Sequence, residues 1–87
     1  MSERLAELRA RIAECDRVAL AAVNRRIAFV AELQGVKQAE GLPFLDPKQE
    51  QRVKDMLVAA NEGPLSEIGV RELADALLAL TKRELER

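Results

Sequence analysis

Residues 2–40 read SERLAELRARIAECDRVALAAVNRRIAFVAELQGVKQAE and contain no proline and a single glycine, Gly35. Apolar side chains recur at steps of three and four, which is the spacing of one face of an α-helix. At 1.5 Å per residue such a helix would be roughly 57 Å long, too long to be buried inside one small domain. The stretch therefore predicts an intertwined homodimer, in which this helix packs against a copy of itself. The apolar stripe comprises Leu5, Leu8, Ile12, Cys15, Ala19, Ala22, Val30 and Leu33.

Two further helices are predicted after the long one. Asp46 is a suitable N-cap, Pro47 suits the first helical position, and Gln49 stands where a capping-box partner belongs. A third helix is predicted to begin near Ser66. No segment alternates apolar and polar residues in the manner of a β-strand. The expected fold is therefore all-α, with one domain over residues 1–87 and long, short and medium helices over about 2–40, 47–61 and 66–86.

The composition excludes several classes of function. The chain has 87 residues, with 14 basic and 15 acidic side chains and a net charge of −1, whereas nucleic-acid binding needs a basic excess. Histidine is absent and Cys15 is the only cysteine, which excludes His-based triads, an internal disulfide and a Cys-cluster zinc site. Cys15 is expected to be buried in the apolar stripe. No apolar run approaches the ~20 residues of a membrane span. We expect a cytoplasmic protein without metal or cofactor.

Two basic residues, Arg26 and Lys37, lie within the apolar stripe of the first helix. They are eleven residues apart, so both point to the same side of the helix, roughly 16 Å from each other along its axis. In one interpretation, both side chains cover apolar surface with their stems and keep their charges in water. In the other, both face an interior pocket.

Acidic and hydroxyl groups are predicted to face the same interior. Glu50 shares a helix face with Val53 and Leu57, Asp46 precedes that helix, and Thr81 continues the inner face of the third helix. Each also has a purely structural interpretation. Asp46 could act only as a cap, and Glu50 only as a first-turn acid favoured by the helix dipole. Thr81 could bond the carbonyl one turn back.

Arg9 points in a different direction from Arg26 and lies roughly 26 Å from it along the helix. It cannot join Arg26 within one chain unless the helix breaks. In an antiparallel dimer, however, the start of one long helix lies near the middle of the other. Arg9 could then complete the pocket of the partner chain, or it could be an exposed surface arginine.

One pattern of spacing runs through nearly the whole chain: Leu8-Arg9-x-x-Ile12-x-x-x-Asp16, then Arg26, Lys37 and Asp46-Pro47-x-x-Glu50. This pattern resembles the AroQ class of all-helical chorismate mutases. The turn Asn-Glu-Gly-Pro-Leu at residues 61–65 is also similar to that of small mutase domains attached to, or working beside, the first enzyme of the shikimate pathway.

The resemblance implies a homodimer with two active sites that converts chorismate to prephenate in aromatic amino-acid biosynthesis. It implies that Arg9 of the partner chain and Arg26 each hold one substrate carboxylate. Lys37 would bond the ether oxygen. Asp46, through its backbone, and Glu50 would bind near the ring hydroxyl. A shikimate-pathway enzyme, separate or fused, is an implied partner.

On helix three, the resemblance places Thr81 at the position of a small hydroxyl residue. Two positions depart from the family pattern. Gln49 stands where the family usually has arginine, and Leu85, one turn beyond Thr81, stands where the family has a Gln or Glu that bonds the ether oxygen. Either the end of the helix is shifted, or the chain is a weak mutase that needs a partner.

The rearrangement suits this composition because it is pericyclic and needs no nucleophile, metal or proton shuttle. It requires a compact substrate and stabilisation of the charge that develops on the ether oxygen. Two alternatives remain from the sequence. One is a relative on the same scaffold that eliminates pyruvate from isochorismate. The other is a non-catalytic or regulatory dimerisation domain, which the residues at positions 49 and 85 favour.

Overall fold

The computed structural model describes residues 2–86, which form three α-helices: α1 (Ser2–Ala39), α2 (Pro47–Ala60) and α3 (Glu67–Leu85). These residues contain no β-strand. The predicted all-α fold with long, short and medium helices is confirmed. Met1 and Arg87, the ends of the predicted domain, lie outside the described residues. Within them, no helix combines the length and the apolar character needed to cross a membrane.

The starts of α2 and α3 are set by capping side chains. Asp46 has an extended backbone, and its Oδ1 accepts a hydrogen bond from the Gln49 backbone N–H at 3.2 Å, while Pro47 occupies the first turn of α2. Ser66 caps α3 in the same way, since its Oγ accepts from the Gly69 N–H at 3.1 Å. Each cap satisfies a backbone donor that has no partner within its own helix.

The end of α1 is closed by a glycine turn. Gly41 has a φ of 72°, which an L-residue with a side chain rarely adopts. Its N–H bonds the Gln38 carbonyl at 3.2 Å, and the Leu42 N–H bonds the Lys37 carbonyl at 2.8 Å. This pair of bonds is a Schellman motif. The turn reverses the chain and brings the α1–α2 connection beside the last turn of α1.

The small core lies along α3, which packs against both α2 and α1. The buried residues within 2–86 are Val70, Ala74 and Thr81, and α1 has none. The molecule measures 60 × 26 × 17 Å, with a radius of gyration of 16.6 Å. A compact domain of this length would have a radius of gyration of about 12 Å. The chain is therefore a rod set by α1, with a packed unit at one end.

The prediction that Cys15 is buried is wrong for the single chain, in which Cys15 is exposed. The reason is its position, because residues 14–22 of α1, which include Cys15, are exposed throughout. The apolar stripe near Cys15 shares this exposure, and Leu5, Leu8 and Ile12 are 40–59% exposed.

Candidate active site

A cavity of about 250 Å³ lies between the second half of α1, the α1–α2 connection, the start of α2 and the end of α3. Its apolar wall consists of Val30, Leu33, Phe44, Leu45, Val53 and Leu78. Its polar residues are Arg26, Lys37, Asp46, Gln49, Glu50, Thr81 and Lys82.

Arg26 reaches across from α1 to α3 instead of extending into water. Its Nη1 donates a hydrogen bond to Thr81 Oγ1 at 2.7 Å. Thr81 is only 5% exposed, and its hydroxyl in turn donates to the Leu77 carbonyl one turn back, also at 2.7 Å. The predicted bond to the helix carbonyl is therefore present. Thr81 Oγ1 also accepts the hydrogen bond from Arg26. The bond to Leu77 therefore orients the hydroxyl, and the hydroxyl holds the guanidinium at the cavity.

Lys37 is held by the connection that follows α1. Its Nζ donates to the Phe44 carbonyl at 3.1 Å and lies 5.9 Å from the centre of the Phe44 ring. This distance is within the range of a cation–π contact. An ammonium group has three donors, so two remain after the bond to Phe44. The ammonium is thus fixed at the cavity with donors available for a ligand.

Glu50 faces the cavity from the first turn of α2, as its position beside Val53 predicts. Its Oε1 accepts a 3.0 Å bond from Lys82 Nζ of α3, and the two side chains are 27% and 39% exposed respectively. Lys82 was not among the site residues predicted from the sequence. A signal for it was available, because Lys82 is four residues after Leu78 and so continues the same inner line of α3.

Of three further predicted site residues, Asp46 and Gln49 line the cavity and Leu85 does not. Asp46 lines the cavity while its carboxylate caps α2. Gln49 also lines it, and its Oε1 accepts from Arg52 Nε at 2.9 Å. Leu85 does not line this cavity but a neighbouring hollow next to Phe44.

Arg9 is exposed and is not among the residues that line the cavity of its own chain. The fold therefore brings together six of the eight predicted site residues and leaves out Arg9 and Leu85. One chain supplies the cavity with three cationic side chains and two carboxylates. Fixed cationic donors against an apolar wall can bind an anion and stabilise negative charge that develops during a reaction.

The comparisons with known proteins agree on one family. Residues 8–86 match the family described as chorismate mutase type II. The fold is similar to form I of the chorismate mutase from Thermus thermophilus, with a TM-score of 0.87, 28% identity, and coverage of 90% of this chain and 98% of that one. Form II of that protein gives a TM-score of 0.90 at 28% identity, covering 97% and 96% of the two chains. No curated protein sequence matches the chain significantly.

Proposed function

Because the chain belongs to the chorismate mutase type II family, we propose that it rearranges chorismate to prephenate in the cavity between its three helices. The observation that carries this proposal is the convergence of Arg26, Lys37 and Glu50 on one apolar-walled cavity. The reaction belongs to the biosynthesis of phenylalanine and tyrosine. The family match favours neither isochorismate cleavage nor a purely non-catalytic dimerisation role.

The reaction is an intramolecular rearrangement in which the ether C–O bond breaks as a new C–C bond forms. The protein contributes no atoms to the product. Its task is to hold the two ends of a flexible dianion in a compact shape, and doing so removes much of the entropic part of the barrier. The apolar wall and the fixed cationic groups are suited to this, since the wall excludes water and the cations pair with carboxylates.

Arg26 binds one substrate carboxylate in this mechanism. A guanidinium has five donors, and the bond to Thr81 uses one of them. The remaining donors can form the paired, parallel bonds that Arg makes to carboxylates. Thr81 acts as a positioning residue, because its hydroxyl is itself oriented by the Leu77 carbonyl.

Lys37 binds the ether oxygen of the substrate. Negative charge grows on this oxygen as the C–O bond breaks, so the ammonium interacts more strongly with the transition state than with the substrate. The Phe44 carbonyl holds Nζ in place before the substrate arrives. Asp46, through its backbone, and Glu50 bind the region of the ring hydroxyl, and Gln49 lies beside them at the rim.

A second copy of the chain completes the structure in this proposal. A compact 9.7 kDa monomer would expose about 5,100 Å², whereas this chain exposes 7092 Å². The excess of roughly 2,000 Å² per chain is in the range of obligate homodimers. A hollow of about 390 Å³ on α1, lined by Phe29, Val30 and Leu33 among others, offers a place for a partner helix.

Antiparallel pairing of two α1 helices would also bring Arg9 of each chain to the partner's cavity. One chain provides three cations and two carboxylates there, so Arg9 would raise the net charge of the cavity from +1 to +2 and match a dianion.

We further infer that the dimer works in the cytoplasm. The Asn61–Leu65 turn supports association with a shikimate-pathway enzyme, separate or fused.

The proposed function is tested by following chorismate loss and prephenate formation spectroscopically with the purified chain. Arg26→Ala should lower kcat/KM on the order of 10²- to 10³-fold, as expected for removal of a preorganised donor. Arg17→Ala is the matched control, because Arg17 is nine residues away from Arg26 on the opposite side of α1. Within residues 2–86 its side chain bonds Glu14 of its own helix. Absence of turnover by the unaltered chain would contradict the proposal.

A further inference from the structure

Three described side chains of α3 line the substrate cavity, Leu78, Thr81 and Lys82, and of these Lys82 has donors to spare. The Thr81 hydroxyl donates to Leu77 and accepts from Arg26, so its hydrogen is already used. Leu85 has no polar atom and faces the neighbouring hollow. Lys82 lines the cavity with an ammonium that has three donors, one of which bonds Glu50.

The position of Lys82 also matters for the charge of the cavity. Glu50 is about three-quarters buried, and a carboxylate in that position would repel a doubly negative ligand. Lys82 Nζ, at 3.0 Å, compensates this charge. The pair is stronger than a fully exposed one, since both side chains are partly withdrawn from water. Two remaining donors of Nζ are left for an anionic ligand.

We propose that Lys82 is a substrate-binding residue, whose ammonium bridges Glu50 and a carboxylate of the substrate. This inference rests on the proposed function, since it takes chorismate as the ligand. Lys82 thus supplies from α3 a charged hydrogen-bond donor, whereas Leu85 has no polar side-chain atom to donate. No covalent step is involved, because the contact consists of hydrogen bonds and charge pairing. Together with Arg26 and Lys37, it gives the cavity cations from both α1 and α3.

A second ion pair between α2 and α3 provides a matched control. Lys54 of α2 pairs with Asp75 of α3, and neither residue lines the cavity. Lys54→Met and Lys82→Met therefore each remove one lysine–carboxylate pair between the same two helices. Only the second removes a cation from the cavity. A purely structural role for both lysines predicts similar effects on activity.

We expect Lys82→Met to lower kcat/KM for chorismate on the order of 10- to 100-fold, chiefly through a higher KM, because a charge-assisted hydrogen bond to the substrate is lost. Lys82→Arg should recover most of the loss, since it retains a cation with spare donors. The kcat/KM of Lys54→Met for chorismate should stay within about twofold of that of the unaltered chain. Circular dichroism and thermal unfolding verify that all three variants fold.

A double-mutant cycle with Glu50→Gln separates substrate binding from mere compensation of Glu50. If Lys82 binds the substrate, Lys82→Met lowers kcat/KM by a similar factor in the Glu50→Gln background. If Lys82 only neutralises Glu50, the loss disappears in that background and the inference is overturned. A change within twofold in both backgrounds overturns it as well.

Calorimetric binding of chorismate distinguishes failure of this inference from failure of the proposed function. A chain that binds chorismate without converting it would contradict the proposed function, yet weaker binding by Lys82→Met would still support the inference. A chain that converts chorismate equally well with and without Lys82 retains its function and refutes the inference. A chain that neither binds nor converts chorismate refutes both.

Discussion

The two ends of α1 lie in different surroundings. Residues 2–12 are exposed along their whole length, although they carry Leu5, Leu8 and Ile12 at helical spacing. The second half of the same helix places Arg26 against Thr81 and Lys37 against Phe44. The comparison teaches that one chain can assemble most of a polar site while leaving an apolar stripe of the same helix exposed.

The difference has a physical origin in the lengths of the elements. Helix α1 has 38 residues, whereas α2 and α3 have 14 and 19. The two shorter helices can cover only one end of a rod of this length. At that end, long polar side chains bridge helices through hydrogen bonds. At the other end, the stripe stays exposed in the single chain, and a second α1 would bury it in the proposed dimer.

The largest expected effect comes from a charge in the unpartnered stripe. Ile12→Asp should prevent dimerisation and abolish turnover, because the interface would have to bury an unpaired carboxylate. Analytical ultracentrifugation and the chorismate assay measure the two consequences. Arg11→Ala is the control, because the ion pair that Arg11 forms among the described residues is with Glu7 of its own helix. A fully active Ile12→Asp dimer would show that the stripe is not the interface.

The next prediction tests whether the exposed end of one chain serves the cavity of the other. Lys37→Ala and Arg9→Ala should each reduce kcat on the order of 10²-fold or more. Mixing equal amounts of the two inactive chains, with exchange of subunits, should restore about a quarter of the activity of the unaltered protein. About half of the dimers are then heterodimers, and each heterodimer contains one intact site out of two. No recovery on confirmed exchange would mean that Arg9 does not serve the cavity of the partner chain.

A smaller effect is expected from the hydroxyl that orients Arg26. Thr81→Val keeps the shape of the side chain but removes the acceptor for Arg26 Nη1. We expect kcat/KM to fall about tenfold, the cost of one charge-assisted hydrogen bond. Thr81→Ser should retain most of the activity. If Val and Ser variants are equally impaired, the methyl group matters for packing and the hydroxyl does not position Arg26.

The smallest effect concerns stability and compares two glycines of the same region. A β-carbon meets no atom within 4 Å at either Gly35 or Gly41, but only Gly41 has a positive φ, of 72°. Gly41→Ala should lower the free energy of unfolding by about 1 kcal/mol. Gly35→Ala, inside α1, should raise it by about 1 kcal/mol. Urea unfolding measures both, and equal effects would contradict a backbone cause.

Short-range signals were reliable where one residue determines one local bond. Asp46 caps α2 as the sequence predicts, and α3 begins beside Ser66, where its start was predicted. Thr81 bonds the carbonyl one turn back, which was one of its two interpretations from the sequence. Contacts that depend on the path of the chain could not be predicted in the same way. Nothing in the sequence indicated that Lys37 would bond the Phe44 carbonyl, because that contact depends on the path of the turn after α1.

Lys82 and Cys15 show two ways in which helical periodicity was insufficient to predict the environment of a side chain. Lys82 continues the inner line of α3, but a lysine near a helix end is usually a solvated residue, so its pairing with Glu50 emerges only when α2 and α3 are packed. Cys15 belongs to a stripe that predicts burial, yet it is exposed in the single chain. Periodicity indicates which face is apolar and not what covers it.

The sequence by itself determined the three helices, the Asp46 cap of α2, and the set of charges that interrupt the apolar stripe of α1. These features follow from side-chain periodicity and from hydrogen bonds within a few residues. The tertiary structure alone decided which charges meet. Arg26 and Thr81 are 55 residues apart, and Glu50 and Lys82 are 32 apart. Their contacts depend on the angles at which the helices pack, which no local pattern specifies.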